Sequence, residues 1–142
     1  MSMQRGQRLA VLAAAFVLFF GRQAPGEQEV SFEIVGTVDY PGVSDSDALG
    51  INDRGEVVGF YFDVVSDRQQ GFVRSADGTF SEIVNPAGRQ TQATGINNTG
   101  TICGSYVLAD GVSFRGFLLT GSTFTNFDFG TPSTYLRRVN DE

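Results

Sequence analysis

Asp39, Asp45 and Asp47 crowd one short stretch of this chain, and carboxylates so placed could hold a calcium ion together with backbone carbonyls. Their spacing lacks the Asp-x-Asp-x-Asp-Gly order of a dedicated calcium loop, so a solvated acidic loop is the expected state. Asp63 and Asp67 form a second pair of the same kind. No other cofactor is expected. Ser44, Ser46 and Ser66 have no base to activate them, because the sequence contains no histidine. That absence removes the Ser-His-Asp and Cys-His arrangements and the commonest zinc ligand. Cys103 is the single cysteine, so no intramolecular disulfide can form. Carboxylate pairs for glycoside chemistry find no support in the spacing. The candidate ligand contacts that remain are Asn52 and Asn97, and Tyr61 and Tyr106. The asparagines recur at equivalent places and could line a channel, or else satisfy backbone groups at turns. The tyrosines could stack on sugars or anchor peptides, with packing between sheets as their ordinary use.

These residues belong to a period of 45. Ala48-Leu49-Gly50-Ile51-Asn52-Asp53-Arg54-Gly55-Glu56-Val57-Val58-Gly59-Phe60-Tyr61 returns as Ala93-Thr94-Gly95-Ile96-Asn97-Asn98-Thr99-Gly100-Thr101-Ile102-Cys103-Gly104-Ser105-Tyr106. Gly71-Phe72 returns as Gly116-Phe117, and a third copy opens at Val139-Asn140-Asp141. Repeats of this length build stacked or radial arrays whose units cannot bury their apolar faces alone. Eighteen Gly, thirteen Phe and no Trp suit turn-rich β structure. Apolar residues come in short bursts separated by Gly, Asp, Asn and Ser, with no 3.6-residue period after the N-terminus. The pattern predicts strands near 48–52, 56–62, 70–74 and 79–84, and again near 93–97, 101–107, 115–119 and 123–128. Four short strands in such a period are the signature of a propeller blade.

The expected architecture is therefore all-β: two four-stranded antiparallel units of propeller type, over 48–92 and 93–134, with partial units at 29–47 and 135–142. Phe32 to Pro41 would be the tail strand of a preceding unit and Tyr135 to Glu142 the opening strand of a following one. The Ile51-to-Gly55 and Ile96-to-Gly100 segments should be hairpin turns closed by Gly55 and Gly100 at positive φ. The repeat-matched pairs Ile51/Ile96, Val58/Cys103, Phe72/Phe117 and Phe80/Phe124 should form the core.

Residues 1–28 read as an export signal and linker. Two arginines precede an unbroken apolar run, Leu9 to Phe20, which is short for a bilayer span. The site near Ala24 is poor for cleavage, so an uncleaved membrane anchor is the alternative and a buried helix a further one. The expected location is secreted, periplasmic or cell-envelope. From Glu27 onward seven Arg face sixteen carboxylates, a net of −9. Such a surface repels phosphate backbones, so nucleic acid is not an expected partner, and membrane contact is expected only through the N-terminal segment.

The Gly-Ile-Asn-x-x-Gly-x-x-x-Gly motif, the aromatic strand after it and the x-Gly-Phe beyond that resemble the HAF-repeat family of bacterial extracellular proteins. At the positions of that family's His-Ala-Phe triplet stand Gln70-Gly71-Phe72 and Arg115-Gly116-Phe117, keeping only the Phe. The resemblance runs from about Val35 to the C-terminus. It implies secretion and a propeller-like architecture, and it implies no known catalytic activity, so it carries over no active-site residues. The expected function is an exported, non-enzymatic β-repeat scaffold that binds a ligand or partner. The alternative is a fragment of a propeller-type polysaccharide hydrolase or lyase. Because two whole units cannot close a ring, the sequence predicts either missing C-terminal repeats or a ring assembled from several chains.

Overall fold

The computed structural model describes residues 36–130 and 133–141. The chain divides into Met1–Val38 and Asp39–Glu142. In the first part residues 36–38 are described and carry no regular secondary structure; the expected signal helix lies outside the described residues.

The second part is all-β. Strands β1 (Ser46–Ile51), β2 (Val57–Asp63), β3 (Arg68–Arg74) and β4 (Phe80–Ile83) form one antiparallel sheet in sequential order. Strands β5 (Gln90–Ile96), β6 (Ile102–Val107), β7 (Phe114–Thr120) and β8 (Thr123–Phe127) form a second of the same topology. Val57, Val58, Phe60, Tyr61 and Phe62 in β2, and Ile102, Tyr106 and Val107 in β6, are β-branched or aromatic residues suited to strands paired on both edges. Strand β5 begins at Gln90, before its first apolar residue, because Gln90, Thr91 and Gln92 are held by pairing to Val107, Tyr106 and Ser105.

Each first strand carries a bulge, between Ala48 and Gly50 and between Ala93 and Gly95. The bulge bends the strand toward β2 or β6 at a glycine. A β-carbon on Gly59 would lie 1.9 Å from the Asp47 carbonyl oxygen, and one on Gly104 would lie 2.1 Å from that of Gln92. The aromatic ring on β3 or β7 closes over the same glycine: Phe72 pairs with Gly59, and Phe117 with Gly104.

The two sheets pack through β5, which touches β1, β2 and β3. Val58 and Ile83 of the first sheet meet Ala93, Ile96, Ile102, Tyr106, Phe117 and Leu119 of the second in one core cluster. On the opposite face of the first sheet, Tyr40 stacks on Tyr61 with ring centroids 3.9 Å apart, lies tilted against Phe72 and meets Phe80 edgewise. Repeat-equivalent latches fix the entry to each sheet, with the Tyr40 amide donating to Ser46 Oγ and the Asn85 amide to Thr91 Oγ1.

Val58, Cys103, Phe72 and Phe117 are fully buried, and Ile96 is 8% exposed. Phe80 and Phe124 are half-buried. Ile51 departs from the expectation at 42% exposed. Its counterpart Ile96 is covered by the first sheet, whereas no sheet among the described residues lies over Ile51. The flanking segments depart for a related reason. Residues 36–41 hold no strand, and Tyr135 to Asp141 holds none, since no neighbouring strand offers either a hydrogen-bonded edge.

Candidate functional site

The turns after β1 and β5 are built alike. Gly55 N donates to the Asn52 carbonyl at 3.0 Å and Asn52 N to that of Glu56 at 3.1 Å. The second turn repeats this between Gly100 and Asn97 and between Asn97 and Thr101. Gly55 and Gly100 sit at φ 77° and 84°, as expected of glycines closing tight hairpins. Inside each turn the asparagine side-chain oxygen accepts from the backbone. Asn52 Oδ1 takes the amides of Arg54 and Glu56, and Asn97 Oδ1 those of Thr99 and Thr101. A short carboxamide is suited to this because its oxygen reaches its own turn two residues on.

The other half of each carboxamide reaches to the next unit. Asn52 Nδ2 donates to the Asn97 carbonyl at 3.0 Å, and Asn97 Nδ2 to the Asn140 carbonyl at 2.8 Å. One residue further along, the Asp53 amide donates to Asn98 Oδ1, and the Asn98 amide to Asp141 Oδ1. Asn98 Nδ2 bridges the Asp53 and Asp141 carboxylates at 2.7 and 2.9 Å. The two turns and residues 140–141 thereby stand side by side as rungs of a ladder, and with their neighbours they line a polar cleft of about 260 Å³. Asn52 and Asn97 lie at its wall, buried to 9% and 8% exposure, while Asp53 and Asp141 are exposed. The repeating Asn-Asp/Asn-x-Gly spelling shows the turns; the second position, always Asp or Asn, is the signal for the cross-rungs, which sequence reasoning passed over.

Glu56 is tied into the first turn, accepting from Asn52 Nδ2 at 2.6 Å and pairing with Arg54 at 2.6 Å. The Asn52 hydrogen bond, aided by Arg54, holds its carboxyl below the ordinary range against a small opposing effect of burial. Asp110 is lowered to about 2 by hydrogen bonds from Ser113 and Val112, and Asp63, Asp77 and Asp128 are lowered as well. A carboxyl with a lower value in the folded state stabilises the fold above its unfolded value and loses that contribution as pH falls through the folded one. Urea midpoints should therefore stay level down to about pH 5 and fall from there toward pH 2. In Glu56→Gln the fall should be shallower; an unchanged acid profile in that variant would remove Glu56 from the account.

The Asn97 carboxamide makes four hydrogen bonds and should matter more than an exposed turn residue. Asn97→Ala is expected to cost about 2–3 kcal/mol, since the amides at 99 and 101 lose their acceptor. Asn97→Asp keeps the acceptor and loses the donor to Asn140, so it should cost less. Equal losses in chemical denaturation would show that the inter-unit rung carries the whole effect.

Tyr61 and Tyr106 lie apart from this cleft, each 5% exposed within the sheet packing. The Tyr61 hydroxyl donates to Glu82, and burial with that contact pushes it well above the ordinary range. Burial also raises Tyr106. Cys103 is enclosed, its thiol raised by burial, in the place Val58 takes in the first sheet. Among the described residues no three His, Cys, Asp or Glu side chains converge to hold a metal ion, so Asp39, Asp45 and Asp47 do not form a cluster of that kind. A second, apolar cleft of about 590 Å³ opens between the second sheet and the C-terminal segment, lined by Leu118, Phe127, Phe129, Leu136 and Val139 with Arg138 and Asn140.

No protein-family model, curated protein or solved structure matches this chain.

Proposed function

We propose that this protein is an exported, non-enzymatic scaffold whose sheets are propeller-type units, and that its ladder of turns presents a binding face for a polar ligand or partner. The observation that carries the reading is the side-by-side placement of equivalent turns, each joined to the next by its Asn carboxamide. Radial arrays place the equivalent ends of their units around a common opening in this way. The polar side chains common to the repeats are engaged in holding turns and joining units, which suits a scaffold. Asp53, Asn98 and Asp141 offer carboxylate and carboxamide groups beside that framework, the groups that bind hydroxyl-rich ligands. Export rests on the basic residues and apolar run at the N-terminus, and the kinship with HAF-repeat proteins on the Gly-Ile-Asn and Gly-Phe register.

The test pairs binding with turnover. Purified full-length chain would be applied to an array of polysaccharides and incubated in parallel with each of them. Retention on a glycan, lost in Asp53→Ala/Asp141→Ala, with no new reducing ends or unsaturated products, is the expected result. Release of such products would establish the polysaccharide hydrolase or lyase reading instead. Fusing residues 1–28 to a reporter should carry it out of the bacterial cytoplasm; a soluble cytoplasmic reporter would refute export.

A further inference from the structure

We propose that Tyr40 and Tyr61 are a site of oxidative cross-linking. An external one-electron oxidant joins their rings as a dityrosine, and the Glu82 carboxylate receives the Tyr61 proton. The observation that carries this is the stack itself. The two centroids lie 3.9 Å apart with the ring planes 11° from parallel. Packed aromatic rings ordinarily keep about 4.5–7 Å between centroids and avoid the face-to-face sandwich. The neighbouring contacts follow that habit, Phe72 on Phe80 at 5.5 Å and 60°, and Tyr40 on Phe80 at 5.3 Å and 74°. Burial, then Glu82, then the Tyr40 hydroxyl push the Tyr61 hydroxyl upward, which places both oxygens at one end of the stack. The ring carbons beside those oxygens, where phenoxyl radicals couple, therefore face each other.

Each phenol gives one electron to the oxidant and its hydroxyl proton to a base. The Tyr61 proton goes to Glu82, to which that hydroxyl already donates, and the Tyr40 proton goes to water. The two radicals then pair to form one carbon–carbon bond ortho to the hydroxyls. Each coupled carbon loses its hydrogen as a proton and each hydroxyl is restored, a net loss of two electrons and two protons. Tyr61 is held as the neutral phenol, so its electron and proton must leave together, and the adjacent carboxylate permits this. Glu82 is exposed and can pass the proton to solvent. Tyr40 is half-buried and lies outside the strands, so it meets the oxidant and has room to tilt. Tyr61 is held in β2 from both sides.

Few other side chains compete for the oxidant. The chain has no Trp and no His, and its two Met are Met1 and Met3. Cys103 is buried with its thiol raised, the state least open to oxidation. The repeat also supplies a comparison. Tyr106 takes the place of Tyr61 at the same 5% exposure. Asn85 stands there in the place of Tyr40 and Asn126 in that of Glu82, the first donating to the second at 2.8 Å. The same sheet thus packs without a phenol stack. A link between Tyr40 and Tyr61 would tie the segment before β1 to β2, in a chain whose single cysteine can make no internal disulfide. Like a disulfide, it would restrict the unfolded chain.

The proposal is independent of export, ring closure and glycan binding. The full-length chain would be photo-oxidised with a tris-bipyridine ruthenium(II) complex and persulfate, and the monomer isolated and digested with trypsin. Cleavage after arginine leaves the four tyrosines on separate peptides, 23–54, 55–68, 90–115 and 116–137. The expected main product joins 23–54 to 55–68, is two hydrogens lighter than their sum and shows dityrosine fluorescence. The cross-linked chain should have a higher urea midpoint. Tyr40→Phe keeps the ring and should lose the product entirely. Glu82→Gln should slow its formation about tenfold or more, since a positioned proton acceptor contributes about 100-fold or more. Oxidation in urea should scatter the links among all four peptides. The proposal is overturned if the folded chain links Tyr106 or Tyr135 as readily. The same distribution from the unfolded chain, or an unchanged rate in Glu82→Gln, would overturn it too. The product map needs wild-type protein alone, so it decides the matter even where a variant fails to fold.

Discussion

Truncating Phe117 to alanine should remove about 3–5 kcal/mol of stability, the usual range for deleting a large aromatic from a core. Its side chain is fully buried, its ring meets Phe124 at 5.3 Å, and it belongs to the cluster that joins the two sheets. Domains of this size have about 5–15 kcal/mol in total, so the variant should melt far below wild type or fail to fold. Phe72→Ala should lose a similar amount by a different route. Phe72 lies on the far face of the first sheet, where Tyr40 and Phe80 surround it. Its loss should therefore loosen the Tyr40 segment while Phe117→Ala loosens the joint between sheets. Amide exchange would separate the two, and similar protection patterns in both variants would contradict this division of the core.

Gly104→Val should be more damaging than any substitution at the positive-φ turn glycines. Ordinary overpacking costs about 1–3 kcal/mol because side chains can move aside. Here the nearest obstacle is the Gln92 carbonyl at 2.1 Å, part of the bulged strand, and the Phe117 ring is next at 2.7 Å. Neither can yield without parting β5 from β6 or β7 from the core, so a loss above about 3 kcal/mol is expected. Gly55→Ala, with nothing near its missing side chain, should cost only the left-handed backbone penalty of about 1–2 kcal/mol. Adding Phe117→Ala to Gly104→Val removes the ring and leaves the carbonyl. The double variant should therefore be no more stable than Gly104→Val alone, and any rescue in urea melts would place the clash on the ring instead.

The strand plan was legible because Gly-Ile-Asn fixes both turns, and burial of the period-two residues is then set by pairing. Phe72, Phe117, Val58 and Cys103 could be read as core from their repeat register alone. Ile51 could not be told from Ile96 in this way, because the repeat gives them one identity and only the neighbouring sheet sets their exposure. Tyr135 to Asp141 has the spelling of an opening strand, yet strand formation needs a hydrogen-bonded partner that a local motif does not encode. The polar cleft was half visible. Asn52 and Asn97 mark its wall, but its cross-rungs join residues 43 and 45 positions apart, a separation no local rule inspects. The apolar cleft had no local sign, since Leu118 and Phe127 read as ordinary strand residues.

The rungs of the ladder repeat at unequal spacing, 45 residues from Asn52 to Asn97 and 43 from Asn97 to Asn140, with the same hydrogen bonds at each step. One residue is dropped in the last hairpin, where Arg74 pairs with Phe80 but Leu119 with Phe124. Another is dropped in the link after it. The fold thus aligns turns and is indifferent to the chain length between them. Insertions and deletions at the outer hairpins should pass with little effect, and whole units should be interchangeable wherever a turn can hand its carboxamide to the next. Such an array can lengthen by duplication and diversify in its outer loops without renegotiating its core.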